Sequence, residues 1–323
     1  MARRVSLEAS LDRLAQIRKG AVGAAEVAEL RAFVAGKHSH AVAAAAEIAG
    51  EHGLDEFRPL LSDAFHRLMD NPIKRDPGCR GKAAIAQTLH QLDAPEAEVY
   101  LAGVSFQQLE PVWGGRQDTA TELRTACGRG LVRMRHPDTL LYLADLLADA
   151  ELPVRVGAAQ SIAYHGTDYG LPLLRLKVRT GDPEIEVIAE CLLAMLRISP
   201  QASFAFVSAA LRAADSATAE SAALALGESR AEGAFEILRD WRRDAAERKL
   251  GETALVAMAM LRSDVAIDYL LHLVATEPGP VAREAIAAFA IHRHDEALRT
   301  RVEAAARRDD IDLTASMAET FGA

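Results

Sequence analysis

The chain has few aromatic residues, few cysteines and no long apolar run. Phe, Trp and Tyr make up 5% of its 323 residues, although apolar residues as a group make up 50%. Much of that apolar content is alanine, which suits closely packed helices, and β-branched strand formers are sparse. The composition therefore predicts an all-α protein without a sheet. The three cysteines have no disulfide or metal-ligand spacing, which fits a reducing compartment.

Other absences narrow the class of protein. No segment approaches the roughly 18 consecutive apolar residues of a membrane-spanning helix. The start of the chain turns amphipathic after a basic pair instead of leading into the apolar stretch of a secretory signal. We therefore expect a soluble, cytoplasmic protein. The net charge of -9 disfavours binding of duplex nucleic acid, because neutralising phosphates needs a basic surface.

One spacing pattern recurs along most of the chain. Small or apolar residues follow an anchor residue by three, four and seven positions, as Ala158, Ala159 and Ile162 follow Arg155. The anchors are Lys82, Arg124, Arg155, Ile188, Glu220, Thr253, Arg283 and Thr314. They are separated by 42, 31, 33, 32, 33, 30 and 31 residues. This spacing places one narrow apolar stripe on each helix, so neighbouring units must stack to bury it.

The units at residues 149–181 and 278–308 carry "LPVRVGAAQSI" and "GPVAREAIAAF". They resemble HEAT repeats of the short phycobilisome-lyase-like type, in which a turn with Asp and Pro precedes Val-Arg, Ala-Ala and Leu. The resemblance covers residues 76–321. It implies a right-handed α-solenoid of stacked antiparallel helix pairs, a HEAT-like superhelix with first helices on the convex side and second helices on the concave side. Residues 1–72 then form an N-terminal helical cap or irregular repeats, and residues 73–323 form the array.

The 42-residue interval contains an insertion near residues 109–118, "LEPVWGGRQD". Its proline interrupts a helix, and its two glycines allow backbone angles that are closed to other residues. Two interpretations stay open for Trp113: a buried plug between unequal repeats, or an exposed platform for a partner. In the second interpretation the binding residues are Trp113, Arg116, Gln107 and Glu110.

The turn before this unit, "NPIKRDPGCRGK", is also unusual. Lys74, Arg75, Arg80 and Lys82 crowd a helix start, where free amides can hold an anion, so Arg75 and Arg80 are candidate binding residues. Cys79 lies at the same helix start, where its pKa could be lowered. The alternative is a buried, unreactive thiol.

Charge is distributed unevenly between the two kinds of helix. In residues 151–323, the segments assigned to second helices carry 14 Lys plus Arg and 12 Asp plus Glu, whereas the remainder carries 5 and 14. Two clusters stand out, one with Arg175, Lys177 and Arg179 and one with Trp241 and Arg242. They form either an ordinary solvated face or a groove for an acidic peptide or phosphate-bearing ligand.

The ten histidines form no metal signature, and no catalytic spacing is present, so we expect no metal, no cofactor and no catalytic residue. The predicted function is a non-enzymatic scaffold that binds another protein or an acidic peptide through the concave face and the Trp-Gly-Gly loop. Two enzymatic alternatives stay open. The repeat type suggests a bilin lyase or isomerase, and a HEAT-like DNA glycosylase would use Trp113 with Asp118 or Trp241 with Asp240.

Overall fold

The computed structural model describes residues 7–244, 247–309 and 311–322. Over these residues the chain forms twenty α-helices and one two-stranded sheet. The predicted all-α helical-repeat fold is confirmed, but the prediction that the chain has no sheet is wrong. Residues 1–6, which hold the basic pair, lie outside the described residues. The chain divides into two compact units, residues 1–165 and residues 166–323.

The first unit contains ten helices and the sheet. Its helices are α1 (Leu7–Lys19), α2 (Ala24–Val34), α3 (Ser39–Glu51), α4 (Arg58–Met69), α5 (Pro72–Arg75), α6 (Arg80–Gln91), α7 (Ala97–Val104), α8 (Thr121–Arg133), α9 (Thr139–Leu147) and α10 (Leu152–His165). Its strands are β1 (Leu109–Val112) and β2 (Gly115–Asp118). The insertion found in the sequence therefore joins α7 to α8.

Helices α3, α6, α8 and α10 are the first helices of successive repeats, and they pack on one another in chain order. Glycine permits the close approach between some of these helices. A Cβ at Gly157 of α10 would collide with the side chain of Thr125 on α8. The second helices lie on the flank of this row, with α7 against α8 and α9 against α10. The inserted strands thus connect the second helix of one repeat, α7, to the first helix of the next repeat, α8.

The second unit repeats the same arrangement. Its helices are α11 (Leu171–Thr180), α12 (Ile185–Ile198), α13 (Pro200–Ala210), α14 (Ser216–Ser229), α15 (Ala234–Asp244), α16 (Arg248–Leu261), α17 (Asp264–Thr276), α18 (Gly279–Ala288), α19 (Glu296–Ala306) and α20 (Thr314–Phe321). The first helices α12, α14, α16, α18 and α20 pack in sequence. Asp215 caps α14 as its turn sequence predicts, accepting hydrogen bonds from the N–H groups of Ala217 and Thr218 at 3.3 and 3.0 Å.

Burial tests the predicted stripe directly. Ala158, Ala159 and Ile162 of α10 are all buried, and the corresponding residues of α6, α8 and α12 are buried as well. The stripe is therefore confirmed from the anchor at Lys82 to the anchor at Ile188.

In α14 and α18, further along the chain, the predicted register is late by one residue. In α14, Leu224 is 38% exposed, whereas Ala222 and Leu226 are buried. In α18, Ala287 is exposed and Ile286 is buried. Alanine-rich helices satisfy the spacing of three, four and seven in more than one register, so the pattern alone does not fix the phase.

Candidate functional site

The insertion is a β-hairpin with a tight two-residue turn. Val112 pairs with Gly115 at the end of the two strands, and Leu109 pairs with Asp118 at their base. Trp113 and Gly114 form the turn. The backbone φ of Gly114 is 90°, a left-handed value that the second central residue of a type II turn requires and that favours glycine.

A buried ion pair joins Asp76, just before α6, to Lys82 in the first turn of α6. Oδ2 of Asp76 lies 2.9 Å from Nζ of Lys82, and neither side chain is exposed. The same carboxylate accepts hydrogen bonds from the N–H groups of Gly81 and Lys82 at 2.8 and 3.0 Å, and these are donors that the start of α6 leaves free. The prediction that Lys82 helps to hold an anion is wrong, because its charge is buried against Asp76.

Glu110 ties the first strand to this segment. Its Oε1 accepts hydrogen bonds from Gly78 N at 2.6 Å, Gln108 Nε2 at 2.6 Å and Thr119 Oγ1 at 2.9 Å. Burial alone would raise the pKa of Glu110, but the hydrogen bonds from Gln108, Gly78 and Thr119 outweigh it, so the pKa lies below its usual value. Glu110 was predicted as a binding residue, but these bonds make it a part of the hairpin base.

Asp118 ties the second strand to α8 in the same way. Its Oδ2 lies 2.6 Å from Nη1 of Arg124, and its Oδ1 accepts hydrogen bonds from Gln108 N at 3.0 Å and Ala120 N at 2.9 Å. Arg124 is 1% exposed and also donates to Asp149 Oδ1 at 3.1 Å. Burial opposes ionisation of Asp118, but these partners hold its pKa below the usual value.

The residues of this base share a spacing that was missed in the sequence. An aspartate precedes the basic anchor of a repeat by six residues, and the two are joined by a hydrogen bond in each of three successive repeats. The pairs are Asp76 with Lys82, Asp118 with Arg124, and Asp149 with Arg155. In the third pair the arginine donates to the backbone carbonyl of the aspartate, at 2.9 Å. The signal that would have found them is an aspartate six positions before each basic anchor.

The tip of the hairpin is open to solvent. The side chain of Trp113 is fully exposed, at 103%, so the interpretation of Trp113 as a buried plug is wrong. Arg116 and Gln107 are exposed as well, and Arg116 has no ion pair within the part of the chain that the structure describes. The structure therefore keeps Trp113, Arg116 and Gln107 available to a partner.

The basic turn before α6 is less open than its sequence predicts. Arg75 and Arg80 are both exposed, but Nη1 of Arg75 donates to Arg67 O at 2.9 Å and lies 3.4 Å from Oδ2 of Asp70. Cys79 is buried, and burial raises its pKa to about 12. Of the two interpretations of Cys79, the structure supports the buried thiol and not the lowered pKa, because desolvation of the thiolate outweighs the charge of Lys82.

A cleft of about 720 Å³ lies beside the hairpin base. Its walls include alanines of α3 and α6 together with Arg80, and its other side is formed by Gln117, Thr121 and Glu122. The cleft is thus bounded by first helices and by β2. The sequence did not predict it, because its walls come from four separate segments of the first unit.

The second unit holds the remaining predicted binding residues. The guanidinium carbons of Arg175 and Arg179 lie 4.5 and 5.4 Å from the ring centroid of Phe206. Both arginines are exposed, and this stacking is a cation–π arrangement. Nζ of Lys177 lies 2.7 Å from Oδ2 of Asp182, so Lys177 is an internal ion-pair partner instead of an open binding residue.

Trp241 and Arg242 are half-buried. Nε1 of Trp241 donates to Leu211 O at 3.0 Å, and Nη1 of Arg242 lies 3.5 Å from Oη of Tyr269. The carboxylate of Asp240, the neighbour that a glycosylase-like pair would use, lies 3.2 Å from Arg239. Trp241 therefore serves partly to join α13 and α15.

Two further properties bear on the class of site. Among the described residues, no group of three or more His, Cys, Asp or Glu side chains is placed to hold a metal ion. Within the same residues, no helix is both long and apolar enough to cross a membrane.

No protein-family model matches the chain, and no curated protein matches it significantly. Similar solved structures include the complex of CpcE and CpcF of phycocyanin lyase from a Nostoc species, at 16% identity, with 77% of this chain and 93% of that chain covered and a TM-score of 0.41. Another is human deoxyhypusine hydroxylase in complex with glycerol, at 17% identity, with 80% and 91% covered and a TM-score of 0.31. Likeness at this level concerns the helical fold and supports no conclusion about activity.

Proposed function

We propose that the chain is a protein-interaction module that engages another protein chain through Trp113 and Arg116 of the hairpin. The observation that carries this proposal is a fully exposed tryptophan on a hairpin whose base is buried and hydrogen-bonded. Trp and Arg are the side chains that most often dominate binding free energy at protein interfaces.

The buried base favours binding because it fixes the tip before a partner arrives. Glu110 and Asp118 each accept three hydrogen bonds or more from neighbouring groups. A preorganised loop loses less conformational entropy on association than a free one. Because the backbone of the hairpin is already ordered, only the side chain of Trp113 loses conformational freedom on binding. A larger part of the free energy gained by burying the indole therefore contributes to affinity.

The geometry does not favour the glycosylase-like pairing of Trp113 with Asp118. Asp118 lies at the base of the hairpin opposite Leu109, whereas Trp113 lies in the turn. The carboxylate of Asp118 is already bound by Arg124. In the second unit, the exposed Arg175 and Arg179 are proposed as a separate contact for an acidic segment.

Site-specific photo-crosslinking tests the proposal. A photoreactive phenylalanine analogue replaces Trp113 in the full chain, and the same analogue replaces Tyr169 as a control, because Tyr169 is also an aromatic residue at 81% exposure. We expect a discrete protein adduct from position 113 that is absent from position 169, with the adduct identified by mass spectrometry. Equal adducts from both positions, or none from position 113, would overturn the proposal.

A further inference from the structure

The two edges of the hairpin are chemically different. Thr119 N donates to Gln108 O at 3.0 Å, so these two residues form a hydrogen-bonded pair. Hydrogen-bonded and non-hydrogen-bonded pairs alternate along an antiparallel ladder. The register therefore makes Pro111 and Arg116 a non-hydrogen-bonded pair, and the backbone groups of both residues face outward, away from the partner strand.

This alternation closes one edge and leaves the other open. On β1 the outward-facing residues are Leu109 and Pro111, and a proline has no N–H to donate to an added strand. On β2 they are Arg116 and Asp118. Each has an N–H and a C=O, so the outer edge of β2 can form four hydrogen bonds with an incoming strand.

We propose that this edge pairs with the β2 strand of a second copy of the chain. The proposal rests on the proposed function and names the partner of the hairpin. An antiparallel arrangement with a two-fold axis at Gln117 places Arg116 opposite Asp118 of the partner subunit. Both are outward-facing residues, so they form a hydrogen-bonded pair through their backbone groups. This self-complementary register is what a symmetric dimer requires.

The same register gives Trp113 a position on the second copy. With the axis at Gln117, Gly115 lies level with Thr119 of the partner subunit, so the turn that carries Trp113 lies next to the chain that leads into α8 of the second copy. Thr121 and Glu122 line the cleft of about 720 Å³ beside the hairpin base. In the dimer the exposed indole of each copy therefore meets the end of the partner's cleft, and this contact buries the largest apolar side chain at the tip.

Pro111 also explains why the assembly stops at two copies. A strand with two open edges can add further strands without limit, whereas a dimer that uses both β2 edges leaves only the β1 edges outside. Those edges lack the donor at Pro111. The expected product is a four-stranded sheet between two copies.

Sedimentation of the full chain over a range of concentrations tests the pairing. We expect a monomer–dimer equilibrium that Arg116→Pro weakens by at least about tenfold, because the new proline removes an outward donor and no hydrogen bond of the hairpin itself. Leu109→Pro is the matched control, since it removes an outward donor from the β1 edge, which the dimer does not use, and we expect a shift of less than about threefold. A chain that stays monomeric up to near-millimolar concentration would overturn the proposal, as would equal effects of the two variants.

Disulfide trapping provides a readout that does not depend on the proline variant. Residues of a non-hydrogen-bonded pair have Cα atoms about 4.5 Å apart, which lies within the range for a disulfide. Gln117→Cys should therefore give a covalent dimer under mild oxidation, whereas Val112→Cys, also exposed but away from the axis, should not. The native cysteines are buried and do not interfere. Equal trapping at both positions contradicts the register, while a photo-adduct of position 113 with a different protein would leave the proposed function standing without the dimer.

Discussion

Nζ of Lys82 lies 2.9 Å from Oδ2 of Asp76 and 5.6 Å from the ring centroid of Phe106. The ammonium group thus links the start of α6 to the chain that leads into the hairpin. Because both charged side chains are fully buried, each depends on the other for compensation of its lost hydration.

Replacing the lysine should therefore destabilise the first unit strongly. Lys82→Met keeps most of the side-chain volume but leaves the carboxylate of Asp76 buried without its counter-charge. We expect a loss of about 3–5 kcal/mol in the free energy of unfolding, measured by denaturant titration.

The matched control is an exposed pair in the same unit. Nε of Arg133 lies 2.6 Å from Oδ1 of Asp93, with side chains 38% and 67% exposed, and Arg133→Met should change stability by less than about 1 kcal/mol. Similar losses in the two variants would contradict the importance of burial for the Asp76–Lys82 pair.

Acid should weaken the hairpin base. The folded-state pKa values of Glu110 and Asp118 lie below their usual values, so their ionised forms stabilise the fold above about pH 4, the range of unfolded carboxylates. That stabilisation is lost as the pH falls through the folded-state values. We expect the melting temperature to decline below about pH 4 and Glu110→Gln to reduce the decline. Asp63→Asn, at an exposed position of α4, should leave the decline unchanged, and equal slopes for the wild type and the Glu110 variant would refute this account.

Two glycines should respond in opposite directions to the same substitution. A Cβ at Gly130 of α8 would collide with the ring of Tyr100, which is itself buried, so Gly130→Ala should destabilise by about 1–3 kcal/mol. Nothing lies near a Cβ at Gly251 in α16, so Gly251→Ala should stabilise by about 0.5–1 kcal/mol through its higher helix propensity. Thermal unfolding of both variants measures the difference. A stabilised Gly130 variant would show that the close contact at Tyr100 is not rigid, and a destabilised Gly251 variant would contradict the open space at that position.

The exposed tip predicts that binding and stability can be separated. Replacing Trp113 and Arg116 together by Ala should leave the free energy of unfolding within about 1 kcal/mol of the wild type, because neither side chain is packed in the fold. A buried tryptophan would lose about 3–5 kcal/mol on the same truncation. A melting curve of the double variant measures the loss, and a value near that of a buried residue would show that the hairpin tip docks onto the helices in solution.

The helical repeat could be predicted because each first helix carries the same stripe. The burial of Ala158, Ala159 and Ile162 follows from a spacing that one helix face dictates. The phase failed at Leu224, because alanine offers several equivalent stripes on one helix. Periodicity thus predicts the spacing of the repeats more reliably than it predicts which helix face is buried.

The hairpin could not be predicted as strands, because each strand has only four residues and one contains a proline. Its base was missed for a different reason. Glu110 and Lys82 look like surface charges in the sequence. Only the tertiary structure shows that Glu110 is hydrogen-bonded at the hairpin base and that Lys82 is buried against the carboxylate of Asp76. A search for acidic and basic residues at a fixed separation across repeats would have found the Asp76–Lys82 and Asp118–Arg124 pairs.

The six-residue separation is the same before the insertion and immediately after it. Asp118 precedes Arg124 by six residues, as Asp76 precedes Lys82, although the interval between these two repeats is about ten residues longer than the others. The helices therefore regain their alignment at Asp118, and residues 111–116, between the anchored residues Glu110 and Asp118, occupy a position where chains of other lengths could be accommodated. We expect this joint to tolerate both a shortened hairpin tip and its replacement by a foreign loop, provided that Glu110 and Asp118 are kept, which makes it a natural place for such a protein to acquire or exchange a recognition element during evolution.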